Sequence, residues 1–153
     1  IFRNYETEYD EGLILNIKRA CQKQGRKFYL SNNLKLAIKL NLDGAYLPSF
    51  NKSINFNKSN FKKKFIIIGS AHSVQEIKIK EQQGVKLIFL SPLFKVNKNN
   101  KFLNPIKFNL LAAKTKKKVI ALGGINQSNF KKLNLVKNYG FAGISYFMGQ
   151  NNI

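Results

Sequence analysis

The sequence predicts an α/β fold: a parallel sheet in the manner of a (β/α)8 TIM barrel, lacking its first strand. Short apolar runs recur roughly every 20–25 residues, each followed by a polar or glycine-bearing tip and then by a segment with helical apolar spacing. About seven strands and six helices can be counted this way, one strand short of eight. The chain opens on Ile1-Phe2-Arg3, which reads as the end of a strand already under way. The expectation is a single barrel domain over residues 1–153 that is incomplete at its amino end.

The clearest unit is Phe65 to Glu81, FIIIGSAHSVQEIKIKE. Phe65 to Ile68 is a continuous apolar run, as expected of a strand covered on both faces. Ser70 and the chain's only histidine, His72, follow it. Ser73 and Glu76 have the Ser-x-x-Glu spacing of a capping box. Val74 and Ile77 supply an apolar stripe, and Gly84 ends the helix. The polar tip therefore lies at the carboxyl end of a strand, where α/β folds place their sites.

The other elements follow in order. Thr7 to Gln24 predicts a helix stopped by Gly25. Phe28 to Leu30 predicts a strand, and Ser31 a cap for a helix carrying Leu34, Ala37 and Ile38. Gly44 to Leu47 is a further strand. Asn51 to Lys64 has little periodicity and reads as an irregular helix or a loop. Leu87 to Leu90 is a strand, followed by a polar loop from Lys95 to Asn104 with the character of a lid. Asn104-Pro105 starts a helix with Leu110 and Leu111 inward. Val119 to Leu122 is a strand tipped by Gly123-Gly124. Ser128 or Asn126 caps a helix with Phe130 and Leu133, and the last strand runs from Ala142 to about Phe147, tipped by Met148-Gly149.

Composition bounds the function. The chain has 27 Lys+Arg against 7 Asp+Glu, a net charge of +20. An acidic partner such as nucleic acid is one reading of that excess. The lysines are scattered through nearly every segment among Asn, Ile and Phe, the pattern of an AT-rich coding sequence, and no recognition motif accompanies them. Nucleic acid is therefore not the expected partner. The one cysteine, Cys21, allows no internal disulfide and shares a helical stripe with Leu13, Ile14 and Ile17. No apolar run approaches the ~20 residues of a membrane span. The expectation is a cytoplasmic protein with no membrane partner.

Four pieces of sequence resemble the thiamine phosphate synthase / TenI (thiazole tautomerase) superfamily. They are LAIKLNLDGAYL (Leu36 to Leu47), GSAHSVQE (Gly69 to Glu76), LSPLF (Leu90 to Phe94) and ALGGIN (Ala121 to Asn126), in the family's order. The resemblance implies a (β/α)8 barrel and a role in thiamine biosynthesis. The family's synthases join hydroxymethylpyrimidine diphosphate to thiazole phosphate and release pyrophosphate with Mg2+. Such chemistry requires a leaving diphosphate held by cations. Barrels of this family pair, so a homodimer is also implied.

The resemblance assigns roles unevenly. The family's Gln-x-Arg-x-Lys pattern falls on Ile1, Arg3 and Tyr5, leaving Arg3 as a diphosphate contact. Its Asn-Asp pair falls on Ser31 and Asn32, and its second metal aspartate on or near Asn51. Asparagine brings no charge, so the Mg2+ site is weakened and no metal ligand is assigned. The Thr-x-Thr-Lys loop falls near Val96, Lys98 and Asn99, with Lys98 standing in for the pyrophosphate lysine. Gly123-Gly124 and Met148-Gly149 supply main-chain N–H groups for a phosphate, while the family's serine near the last strand falls on Met148. Ser70 stands where the family has a serine facing the pyrimidine, and His72 where TenI proteins use a histidine for proton transfer.

Three readings follow. One is a thiamine phosphate synthase/TenI-like enzyme that couples the two substrates or acts on the thiazole phosphate. The second is an inactive paralogue that binds a phosphorylated ligand or a protein. The third is a basic nucleic-acid-binding protein.

Overall fold

A computed structural model describes residues 1–5, 8–56, 61–96 and 101–148. The elements are α1 (Glu11–Lys23), β1 (Tyr29–Ser31), α2 (Leu34–Lys39), β2 (Gly44–Leu47), β3 (Ile66–Ala71) and α3 (Val74–Gln82). They continue with β4 (Leu87–Leu90), α4 (Asn104–Ala112), β5 (Lys118–Leu122), a 3-10 helix (Phe130–Leu135), β6 (Gly140–Ala142) and α5 (Ile144–Met148). The fold is α/β, with six parallel strands that pair in sequence order from β1 to β6.

Phe2 adds one further pairing position beside β1. The Phe2 N–H donates to the Tyr29 carbonyl at 2.9 Å, and the Phe2 carbonyl accepts from the Ser31 N–H at 3.0 Å. The sheet curls, because Ile1 and Arg3 on either side of Phe2 line the same cavity as Leu122 on β5 and Phe141 on β6.

Alternation divides the strand residues between two faces. Tyr46, Ile68, Phe89 and Ile120 pack on the concave face, with Tyr29, Ile66, Leu87, Leu122 and Ala142 against them. The register explains this layer: Tyr46 pairs Ile68, and Phe89 pairs Ile120. On the helix side Leu47, Ile67, Ala71, Ile88 and Leu90 join Ile77 and Phe108 in the main core. Ile77 is fully buried, so truncation to alanine there costs about 2–5 kcal/mol.

Several local expectations are corrected. α1 begins at Glu11, because the Asp10 carboxylate accepts from the N–H groups of Gly12 (2.8 Å) and Leu13 (3.2 Å). Thr7 lies outside the described residues. Ser31 does not cap α2. It is the buried last residue of β1, with its Oγ 2.6 Å from the Tyr5 hydroxyl, and Asn33 caps instead by accepting from the Leu36 N–H.

The Ser73 cap is present, its Oγ accepting from the Glu76 N–H at 3.3 Å. The return bond is shifted by one residue: the Glu76 carboxylate accepts from the His72 N–H at 2.6 Å. In α4 the fully buried residue is Phe108, and Leu110 is 62% exposed because two residues along a helix point to different sides. No helix or strand forms over the described residues 51–56 or 61–64.

The last strand is shorter than its apolar pattern predicts. β6 ends at Ala142, and Ile144 to Met148 form α5. Tyr146 stacks on Phe130 at 4.8 Å and meets Phe141 edge-on at 5.1 Å, while Phe147 stacks on Phe141 at 5.7 Å. Strand alternation would send the rings of 146 and 147 to opposite faces. A helical turn lets both reach Phe141.

Candidate functional site

The concave face opens at the carboxyl ends of the strands into a cavity of about 330 Å3. Its lining includes Phe89, Leu122, Ala142 and Ile144, with Arg3 and Tyr46 supplying the charged and phenolic groups. An apolar concavity with a few placed polar groups is the usual form of a small-ligand site. A guanidinium over an apolar wall suits a flat ring carrying an anionic substituent.

Ser70 joins this site from beneath. It is buried, lies two residues after Ile68 on the same face of β3, and hydrogen-bonds to the Tyr46 hydroxyl. Burial pushes the Tyr46 phenol above its ordinary pKa, with the Ser70 hydrogen bond and then the Arg3 charge opposing the shift. Tyr46 therefore stays protonated at neutral pH as a donor. Tyr46 escaped the sequence reading because a tyrosine in a four-residue strand looks like core. The signal was its register with Ile68, one step before Ser70.

His72 lies at the same end of β3 but opens elsewhere. It lines an adjoining groove of about 410 Å3 with Ser91, Pro92, Lys101, Leu103 and Lys107. Its Nδ1 is 2.6 Å from the Ser91 carbonyl oxygen. A carbonyl only accepts, so in the neutral ring Nδ1 carries the proton and Nε2 is the basic nitrogen. Ser70 and His72 thus serve two cavities rather than one.

Gly123 and Gly124 follow Leu122, which lines the first cavity, and Gly123 meets Pro92, which lines the second. Both glycines have left-handed φ, 93° and 70°. A Cβ on Gly123 would sit 2.7 Å from the Pro92 Cβ, and one on Gly124 would sit 2.6 Å from the carbonyl oxygens of Phe94 and Lys95. The β4 loop therefore packs directly on the double glycine, held by N–H bonds from Leu93 to the Leu122 carbonyl (2.9 Å) and from Phe94 to the Gly123 carbonyl (3.1 Å). The chain of contacts runs from His72 through Ser91 and Pro92 to Gly123.

Met148 is not at a strand tip; it is the last residue of α5. The hydroxyl residue nearest the end of β6 is the exposed Ser145, in the first turn of α5, which the predicted strand to Phe147 hid. Lys98 and Gly149 lie outside the described residues.

Asn32 and Asn51 meet each other. The Asn51 Nδ2 donates to the Asn32 Oδ1 at 2.8 Å, and the Asn51 Oδ1 accepts from the Ser53 N–H at 3.1 Å. Asn32 holds this position with a left-handed φ of 56°. Beneath them is a group that nothing in the sequence singles out. Lys80 of α3 is fully buried, and its ammonium donates to the carbonyls of Pro48 (2.7 Å) and Asn51 (2.8 Å) and to the Gln83 Oε1 (2.9 Å). Gln83 Nε2 completes the clamp on the carbonyls of Ser53 (2.7 Å) and Asn51 (3.0 Å). Burial lowers the Lys80 pKa to about 8, with Glu76 opposing.

These residues do not fit a carboxylate-held divalent cation. Both amide oxygens accept hydrogen bonds, an ammonium lies behind the loop, and no cluster of three or more His, Cys, Asp or Glu exists among the described residues. Among those residues no helix is long and apolar enough to cross a membrane.

Comparisons with known proteins converge. The sequence model of one family, described as thiamine monophosphate synthase, matches residues 2–147. A putative thiamine-phosphate synthase 2 of Aquifex aeolicus is 34% identical over 136 residues, covering 85% of this chain and 71% of that protein. A thiamine-phosphate synthase of Flavobacterium johnsoniae is 30% identical over 154 residues, covering 94% and 70%. A solved thiamine phosphate pyrophosphorylase from Pyrococcus furiosus superposes with a TM-score of 0.72 at 18% identity, covering 90% of this chain and 68% of that one.

Proposed function

The chain belongs to the thiamine monophosphate synthase family, and on that premise we propose that its mouth binds a phosphorylated ring of thiamine biosynthesis and acts on it. The observation that carries this reading is the cavity in which Arg3 and Tyr46 face Leu122 and Ala142 across the curled sheet. Thiazole phosphate fits that chemistry, with its ring on the apolar wall and its phosphate toward Arg3. Ser145 and the main chain at Gly123 and Gly124 are the further phosphate contacts in this reading, with Lys98 and the Met148-Gly149 segment as the positions carried by family resemblance. A (β/α)8 barrel that lacks its first strand in this chain, paired as a homodimer, is the working form in this reading.

Ser70 and Tyr46 orient the ring from below, and in this reading His72 Nε2 exchanges a proton with the part of the ligand that extends into the adjoining groove. The family's full reaction also brings hydroxymethylpyrimidine diphosphate to this mouth, where Arg3 and the lysines of the His72 groove balance the leaving pyrophosphate. Mg2+ supplies that balance elsewhere in the family. The Asn32–Asn51 pair is a poor holder for it, so no step here is routed through a metal.

That same pair favours a second reading: a paralogue that holds the phosphorylated ligand without turnover. Incubation with both synthase substrates, with and without Mg2+, separates the two. Pyrophosphate release supports the enzyme. Binding of thiazole phosphate without release supports the paralogue, and neither binding nor release removes both.

A further inference from the structure

The amino ends of the strands carry a second concavity, at the end of the concave face opposite the mouth. It measures about 490 Å3, and five of its nine lining residues are lysines: Lys27, Lys86, Lys116, Lys117 and Lys118. The chain as a whole has 27 Lys and Arg in 153 residues, so scatter alone does not produce this density. The lysines come from three places. Lys27 precedes β1, Lys86 precedes β4, and the run Lys116 to Lys118 leads into β5. Parallel pairing in sequence order is what brings these strand starts to one opening.

The cavity has an apolar floor from the concave-face residues Ile66 and Leu87, and two tyrosines, Tyr29 and Tyr139, on its walls. The Lys118 ammonium lies 4.0 Å from the Tyr139 ring centroid, which leaves that ring engaged on one face. Among the described residues no carboxylate lines the opening. Two acidic groups near these segments keep their charge and offset part of the lysine excess: Asp43, which accepts from the Phe28 N–H at 2.9 Å and after burial helps raise the Tyr29 pKa, and Glu81, which accepts from the Thr115 hydroxyl at 2.5 Å. Five exposed like charges around one opening repel each other and raise the positive potential over it.

We propose that this lysine-ringed cavity binds a compact polyphosphate anion, independently of the mouth. Ammonium groups recognise phosphate as point charges, and the absence of arginine from the lining means that charge density rather than planar shape is read. The volume lies in the range of small-ligand sites, and a single concavity suits a short polyanion better than a long backbone. The phosphate chemistry is shared by inorganic tripolyphosphate and a nucleoside triphosphate. The exposed Tyr139 edge would favour the nucleotide.

The test is calorimetric titration of the whole chain with tripolyphosphate, ATP, orthophosphate and a single-stranded oligonucleotide, at low and physiological salt. The expected result is saturable 1:1 binding of tripolyphosphate or ATP at both salts, with orthophosphate weaker by about tenfold or more. Tighter ATP than tripolyphosphate identifies the nucleotide as the source, and equal affinity identifies the phosphates alone. The double variant Lys86→Gln/Lys118→Gln should weaken that binding at least about tenfold and leave thiazole phosphate binding unchanged. ATP should also shift the backbone amide resonances of Lys86, Lys118 and Tyr139 in the unmodified protein, so the outcome does not depend on the variant folding. No binding, preference for the oligonucleotide, or shifts confined to Arg3 and His72 would overturn the proposal.

Discussion

The Asn51 side-chain amide donates to the Asn32 side-chain oxygen at 2.8 Å, joining the ends of β1 and β2 at the mouth. A neutral amide pair thus occupies the two positions at which the sequence resemblance expects charged metal ligands. The double variant Asn32→Asp/Asn51→Asp should therefore bind Mg2+ at least about tenfold more tightly than the unmodified chain, read by calorimetry. Unchanged affinity would mean that the loop, and not the amide chemistry, sets the metal deficit.

Lys80 holds the loop that carries Asn51. Lys80→Met removes three donated hydrogen bonds and leaves the Pro48 carbonyl without its ammonium donor. The expected loss of stability at neutral pH is about 1–3 kcal/mol by denaturant unfolding. Equal or greater stability would show that the desolvation cost of the ammonium outweighs its bonds.

The pH dependence of that site has a definite sign. Burial lowers the Lys80 pKa to about 8, against 10.5 for a free lysine. Between those values the unfolded chain binds more protons than the folded one, so the free energy of unfolding rises with pH. The penalty is fully present below about pH 8 and is relieved as pH rises toward 10.5. Unmodified protein should therefore gain stability relative to Lys80→Met between pH 8 and 10, measured as the difference in Tm.

Gly123→Ala should destabilise by about 2–4 kcal/mol, because the new Cβ meets Pro92 at 2.7 Å in a left-handed backbone. The loss reports packing of the β4 loop. A phosphate role adds a second signature: weaker thiazole phosphate binding at temperatures where the variant remains folded.

His72→Ala should abolish any thiazole isomerisation and leave thiazole phosphate affinity nearly intact, since His72 opens into the groove and not into the Arg3 cavity. Parallel loss of both would mean that the Ser91 contact holds the mouth together.

Much of the scaffold was legible because the apolar period and the turn residues agree. Gly44–Leu47 and Leu87–Leu90 are strands as read, and Ser73 caps α3. The turn at Gly123 was legible because its local backbone demands glycine. The site was not legible where tertiary contact decides. Lys80 looks like one more lysine on a solvated helix face, and only the loop folded over it makes it buried. Ser145 was hidden because Phe141 to Phe147 has a strand's apolar content, and the ring cluster that selects a helix involves Phe130 from a distant segment.

The most direct measurement is the affinity of thiazole phosphate for the unmodified chain and for Arg3→Gln. The cavity between Arg3 and the ends of β5 and β6 predicts saturable binding that falls about tenfold or more when the guanidinium is removed. No binding, or binding indifferent to Arg3, would contradict it.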